Sequence, residues 1–254
     1  MRKISYIFLL LVGPAIFAQA NYSAFKQGNE YYNNGQFQEA IYAYESILDK
    51  GEHSAELYFN LANAYYKTNQ VAPSIFFYEK ALQLDPNDKE IKNNLSFAQN
   101  MTIDAIETIP EAGVSKLVKN VVNLFNFDIW AVLSVAFCFM FVLLFLTYYF
   151  SHATTKKRLL FLSSFSFLFF GLLTLTFAFQ KYNSVQKDRP AIVFAQETEI
   201  HVEPNLRSET AFNLHEGTKV QILENFNESW AKIKLSDGKT GWISTEDIRQ
   251  LNNF

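Results

Sequence analysis

The sequence predicts a multi-domain membrane protein in three parts: an all-α solenoid of helical repeats, a two-helix transmembrane hairpin and a small all-β barrel. Three observations predict it. Residues 21–54 align with 55–88 without a gap. Residues 129–150 and 159–179 carry no charge. Residues 190–254 break into short β-rich runs punctuated by glycine.

The 254 residues carry 22 basic and 25 acidic side chains, a net charge of −3, so no basic field invites nucleic acid. An apolar content of 49% excludes a disordered chain. The single cysteine, Cys138, excludes an intrachain disulfide framework and a multi-cysteine zinc site, and four scattered histidines make no metal cluster. No metal or cofactor is expected. The sequence contains no phosphate-cradling glycine loop, no H-E-x-x-H and no G-x-S-x-G, so no catalytic residue is assigned and enzymatic activity is not expected.

Residues 1–20 read as a signal peptide. Arg2 and Lys3 precede the apolar run Ile4 to Phe17, and Ala18-Gln19-Ala20 is a small-residue cleavage site. The alternative is an uncleaved anchor. Asn21 stands where a lipoprotein would need cysteine.

The repeats occupy 21–102. Matching pairs are Phe25/Phe59, Asn29/Asn63, Tyr31/Tyr65, Tyr32/Tyr66, Gln36/Gln70, Ile41/Ile75, Tyr44/Tyr78, Glu45/Glu79 and Leu48/Leu82. Gly28/Ala62 and Ala40/Ser74 are small where paired helices must approach closely. With this period the segment resembles the tetratricopeptide repeat. Ile91, Leu95 and Ala98 form one stripe, read as a third, capping helix. The resemblance implies a concave protein-binding groove. It places Tyr22, Phe25, Asn29, Tyr32 and Asn33 there from the first repeat, and Glu56, Phe59, Asn63, Tyr66 and Lys67 from the second. Asparagine can hold a peptide backbone with donor and acceptor together. The alternative makes these residues packing and solvated polar positions. A complete clamp for a C-terminal carboxylate would need cationic residues from a third repeat, and only Lys67 and Lys92 are cations near the groove.

Residues 103–128 read as a linker followed by an amphipathic surface helix, with Val114, Leu117, Val118, Val121, Val122 and Phe125 on one face. Packing against the repeats is the alternative. The uncharged runs 129–150 and 159–179 reach roughly 33 and 31 Å as helices, enough to cross a bilayer. Lys156, Lys157 and Arg158 place the loop 151–158 in the cytoplasm. Seven hydroxyl residues, Ser134 and Thr147 in the first run and Ser163, Ser164, Ser166, Thr174 and Thr176 in the second, could bond between the helices.

After a polar linker, 180–189, strands are expected at 191–195, 199–202, 219–223, 230–235 and 240–243, with Asp237-Gly238 as a hairpin turn. The strings Leu214 to Val220 and Trp230 to Ile243 resemble bacterial SH3-like (SH3b) domains over 190–254. That resemblance implies binding of cell-wall peptides or protein segments, with Phe226, Trp230 and Trp242 as candidate contacts. The other reading buries both tryptophans in the barrel.

The order of parts as a whole resembles the exported tetratricopeptide-repeat membrane proteins of the Bat (Bacteroides aerotolerance) group, the BatE family. The resemblance implies a scaffold in the inner membrane, with repeats and barrel facing the periplasm. It would sit in an envelope complex linked to aerotolerance or stress, beside membrane proteins with von Willebrand factor A-type domains. The lipid bilayer is a further partner, and peptidoglycan is the ligand of the alternative reading, a cell-wall sensor or tether.

Overall fold

Ser54 and Asp88, one repeat period apart, each open a helix. The Ser54 hydroxyl accepts the Leu57 N–H at 3.1 Å, and the Asp88 carboxylate accepts those of Glu90 and Ile91 at 2.7 and 3.0 Å. The computed structural model describes residues 23–106 and 113–251, so the expected signal peptide and Tyr22 lie outside the described residues. Five helices lead the chain: α1 (23–33), α2 (Phe37–Leu48), α3 (Ala55–Lys67), α4 (Val71–Leu84) and α5 (Lys89–Gln99). They pair as helical hairpins because small residues let them close. A methyl group on Gly28 would overlap the Tyr44 ring, and the buried Ser74 hydroxyl donates to the Ala62 carbonyl at 3.0 Å. Ile41, Tyr44, Leu61 and Tyr65 fill one core, where the first repeat meets α3; Ile75, Tyr78, Ile91 and Leu95 fill the next, where the second repeat meets α5. α5 is more than a cap. It begins one period after α3 and repeats its Asn60 as Asn94, so it is the first helix of a third repeat.

The C-terminal part is a seven-stranded antiparallel sheet: β1 (Pro190–Val193), β2 (Glu197–His201), β3 (Thr210–His215), β4 (Lys219–Phe226), β5 (Trp230–Lys234), β6 (Thr240–Ser244) and β7 (Ile248–Gln250), in the order β3-β2-β6-β5-β4-β1-β7. Ala191, Val193, Ile200, Val220, Ile222, Ile233 and Ile243 form its core, at alternate strand positions. The Asp237-Gly238 turn joins β5 to β6, with Gly238 at φ 90°. β3 and β7 lie outside the strands expected from sequence; Thr210–His215 is half exposed and lacks a continuous apolar face.

Sequence does not foresee that repeats and barrel form one unit, which among the described residues comprises 23–106 together with 189–251. Ile192 and Leu251 are buried in the same cluster as Ile75, Tyr78 and Leu95. Phe76 meets Phe194 edge-on, with ring centroids 5.7 Å apart. Lys219 pairs with Glu79 at 2.7 Å. Gly217, at φ 85°, lets the barrel close on the helices, since a Cβ there would stand 2.8 Å from Thr102 and 3.0 Å from Ile75. Residues 103–106 are therefore no free linker. The Asp104 carboxylate accepts the His215 backbone N–H at 2.7 Å, the Thr218 hydroxyl at 2.6 Å and His215 Nδ1 at 2.8 Å, and Ile106 packs against the barrel core.

Among the described residues, 113–188 form the second unit. It holds α6 (Val114–Val122), α7 (Phe127–Phe150) and α8 (Thr154–Lys187). α7 and α8 are long and apolar enough to cross a membrane, with mean hydropathy of 2.8 and 2.0. α8 starts inside the expected loop and runs through the expected linker, because Thr154–Arg158 and Gln180–Lys187 contain neither glycine nor proline to stop it. Of the hydroxyls, Ser134 bonds across the pair, to the Gly171 carbonyl at 2.9 Å. Thr147, Ser164, Thr174 and Thr176 bond to carbonyls of their own helices. α6 packs on α8 of this unit through its C-terminal end: Val122 is buried and its carbonyl accepts the Trp130 indole N–H at 3.0 Å.

Candidate functional site

The first helices of the repeats, α1, α3 and α5, carry two copies of one polar arrangement, each completed by a tyrosine of the helix that follows. Asn29 Oδ1 accepts the Tyr44 hydroxyl at 2.7 Å and the Asn60 side-chain amide at 3.0 Å. One period later, Asn63 Oδ1 accepts the Tyr78 hydroxyl at 2.5 Å and the Asn94 amide at 3.0 Å. Two donors on one oxygen fix which way each amide points. Each NH₂ group is thereby left to donate, and among the described residues neither has a partner. Burial, then Tyr32 and then Glu56, pushes the Tyr44 phenol well above its ordinary range, and burial chiefly does the same to Tyr78. Both therefore stay protonated and keep holding the asparagines.

Three adjoining cavities make the trough. One of about 250 Å³ is lined by Asn29, Tyr32, Asn33, Tyr44, Asn60 and Asn63. The next, about 380 Å³, shares Asn60 and adds Glu56, Phe59, Asp85, Glu90 and Ile91. A third, about 210 Å³, shares Glu56 and reaches Phe25 and His53. Of the residues expected in the groove, Phe25, Asn29, Tyr32, Asn33, Glu56, Phe59 and Asn63 line one or another of these cavities, which are linked by the shared Asn60 and Glu56. Tyr66 instead packs against the core of the second repeat, and Lys67 is exposed in the last turn of α3. Asn60 and Asn94 escape a two-repeat alignment. Extending the period into α5 finds them, and with them the recurrence of Glu56 as Glu90.

On the barrel, Phe226, Trp230 and Trp242 are absent from the core. Trp230 and Trp242 alternate along β5 and β6 with the buried Ala231, Ile233 and Ile243, and Phe226, the last residue of β4, is in register with Trp230, so the three share the outer face. Phe226 is 47% exposed and meets Trp242 at 6.0 Å. Lys232 lies over the Trp242 ring at 5.6 Å, and His201 meets Trp230 at 5.5 Å. Burial of both tryptophans in the barrel, the other expectation, is not what the structure shows, since the core positions are filled by aliphatic side chains of the opposite strand parity.

Residues 31–96 match the family model described as tetratricopeptide repeat. Residues 197–249 match that of the bacterial SH3 domain. The chain therefore carries both modules, of which the first is a helical repeat and the second an antiparallel barrel, as the structure has them. The cell wall-binding protein YwsB of Bacillus subtilis (strain 168) is 35% identical over 57 residues, 22% of this chain and 32% of that protein. The similarity thus spans about a third of that relative's length.

Proposed function

We propose that the protein is a membrane-anchored envelope scaffold that holds an extended segment of a partner protein in the trough of its repeats. The observation carrying this reading is the pair of pinned amides, Asn29 and Asn63, each with its NH₂ free for a ligand carbonyl. Two equivalent donors one repeat apart suit an extended backbone. α7 and α8 supply the anchor, and Lys156, Lys157 and Arg158 between their apolar stretches orient it with the basic end in the cytoplasm. The unit formed by both flanks then faces the periplasm of an inner membrane. Joint burial of Ile75 and Ile192 supports this, because it requires the two flanks of the hairpin to emerge on one side. The resemblance to the Bat group suggests membrane proteins with von Willebrand factor A-type domains as partners, in a complex serving aerotolerance or stress.

The test is affinity purification from cross-linked, detergent-solubilised membranes, comparing wild type with Asn29→Asp/Asn63→Asp. Aspartate keeps both accepted hydrogen bonds and deletes the free donor. A membrane protein recovered with wild type and lost with the variant supports the trough. Equal recovery refutes it.

A second reading, a cell-wall tether, is favoured by the outward aromatic face of the barrel and by the likeness to a cell wall-binding protein. It predicts that the full chain sediments with purified cell wall and that Trp242→Ala abolishes this.

A further inference from the structure

The trough has a polarity that the repeat fold itself does not require. At one end lie the uncharged amides of Asn29, Asn60 and Asn63. Away from them, beyond the shared Asn60, an apolar floor of Phe59 and Ile91 is surrounded by Glu56, Glu90, Asp85 and Asp88, and Glu52 lines the cavity that shares Glu56. Among the described residues no lysine or arginine lines any of the three cavities. Lys26, on the neighbouring α1, is drawn to Glu30 at 3.9 Å. Glu56, Glu90 and Asp85 form no ion pair among the described residues. Glu56 and Glu90 are equivalent positions, and each adds to the upward shift of its own tyrosine, Tyr44 or Tyr78. The negative field therefore recurs with the repeat and reaches the floor of the groove. Among the described residues no His, Cys, Asp and Glu side chains are grouped so as to hold a metal ion. The acidic end thus offers a broad field over an apolar surface, which suits an organic cation with a hydrocarbon stem.

Resting on the trough reading above, we propose that the occupant is a cationic protein segment. Its backbone carbonyls accept from Asn29 and Asn63, and a lysine or arginine side chain lies along Phe59 and Ile91 with its charge between Glu56 and Glu90. The roughly 380 Å³ cavity accommodates such a side chain. This is the opposite polarity to a groove that captures a terminal carboxylate with cationic residues.

The probe is a randomised octapeptide pool, acetylated and amidated to remove terminal charge. It is sorted into lysine-bearing, uncharged and glutamate-bearing fractions and applied to the full chain in detergent. The lysine-bearing fraction is retained about fivefold over the uncharged one, the size expected of a pair of exposed ion pairs. Raising the salt concentration erases the preference. Glu56→Gln/Glu90→Gln, isosteric changes at two exposed positions, removes the preference while uncharged peptides bind as before. Equal retention of all fractions, preference for glutamate, or a lysine preference that survives Glu56→Gln/Glu90→Gln each overturns the inference and leaves the trough standing. Uncharged peptides that bind Asn29→Asp/Asn63→Asp as well as wild type overturn the trough reading itself. A chain that retains no peptide from any fraction overturns both.

Discussion

The two repeats place identical residues in different company. Glu45 accepts the hydroxyl of Tyr65, which belongs to the next repeat. Its equivalent, Glu79, has Gln99 where Tyr65 would stand, and it pairs with Lys219 of the barrel instead. Ile41 is buried among helices alone, whereas Ile75 is buried among helices and the barrel residues Ile192 and Leu251. A solenoid must cover the apolar face of its last units. In the first repeat the following repeat does so, and in the second the barrel contributes a large part. What is repeated is the inner wall of asparagine, tyrosine and glutamate; the outer neighbour is exchangeable.

The largest expected effect breaks this comparison in the core. Ile41→Ala and Ile75→Ala each remove a fully buried side chain and should cost about 2–5 kcal/mol. Thermal unfolding of the full chain in detergent measures both. Only Ile75→Ala should also speed proteolysis within residues 190–251, because only it withdraws support from Ile192. Equal protection of the barrel in the two variants would mean that barrel and repeats do not share a core.

A smaller effect separates conformational strain from crowding. Gly35, between α1 and α2, and Gly217, at the barrel contact, both have positive φ, 78° and 85°. A Cβ at Gly35 meets nothing within 4 Å, whereas one at Gly217 meets Thr102, Ile75 and Val71. Gly35→Ala should cost only the backbone term, ~1 kcal/mol. Gly217→Ala adds overpacking of about 1–3 kcal/mol. Melting temperatures that fall equally would show that the Gly217 contact yields without cost.

How much of this was legible depended on whether the signal was local. The period of 34 exposed Asn29 and Asn63 and the small residues at Gly28 and Ala62, because repetition is written along the chain. The uncharged runs of α7 and α8 were equally plain. Asn60 and Asn94 were readable but needed the alignment carried into α5. The burial of Ile75 and Ile192 in one cluster was not readable, since a buried isoleucine in a repeat looks the same whether a helix or a strand covers it. Asp104 sat in an acidic stretch that resembles any solvated linker, and its partners His215 and Thr218 are more than a hundred residues away. The outward placement of Trp230 and Trp242 followed from strand parity, which their aromatic character obscured.

The smallest effect concerns the tie at Asp104, which has no counterpart in the first repeat. Burial alone would raise the Asp104 carboxyl, but hydrogen bonds from Thr218 and His215 outweigh it and hold the group below its usual range. The hydrogen bond to Asp104 raises the His215 imidazole above its ordinary value against partial desolvation. Because the folded His215 pKa is raised, its contribution is complete below about 6.5 and is lost as pH climbs through the raised value. Because the folded Asp104 pKa is lowered, its contribution is complete above about 3.9 and is lost as pH falls through the lowered value. The tie is therefore strongest between these limits. The melting temperature of wild type should exceed that of Asp104→Asn by more at about pH 6 than at about pH 8.5, on either side of the histidine transition. The difference should narrow rather than vanish. Neutral imidazole can still donate from Nδ1, and Asp104 keeps the Thr218 hydroxyl and the His215 backbone N–H. A gap that does not change with pH would show that the imidazolium charge contributes nothing to the closure of barrel on repeats.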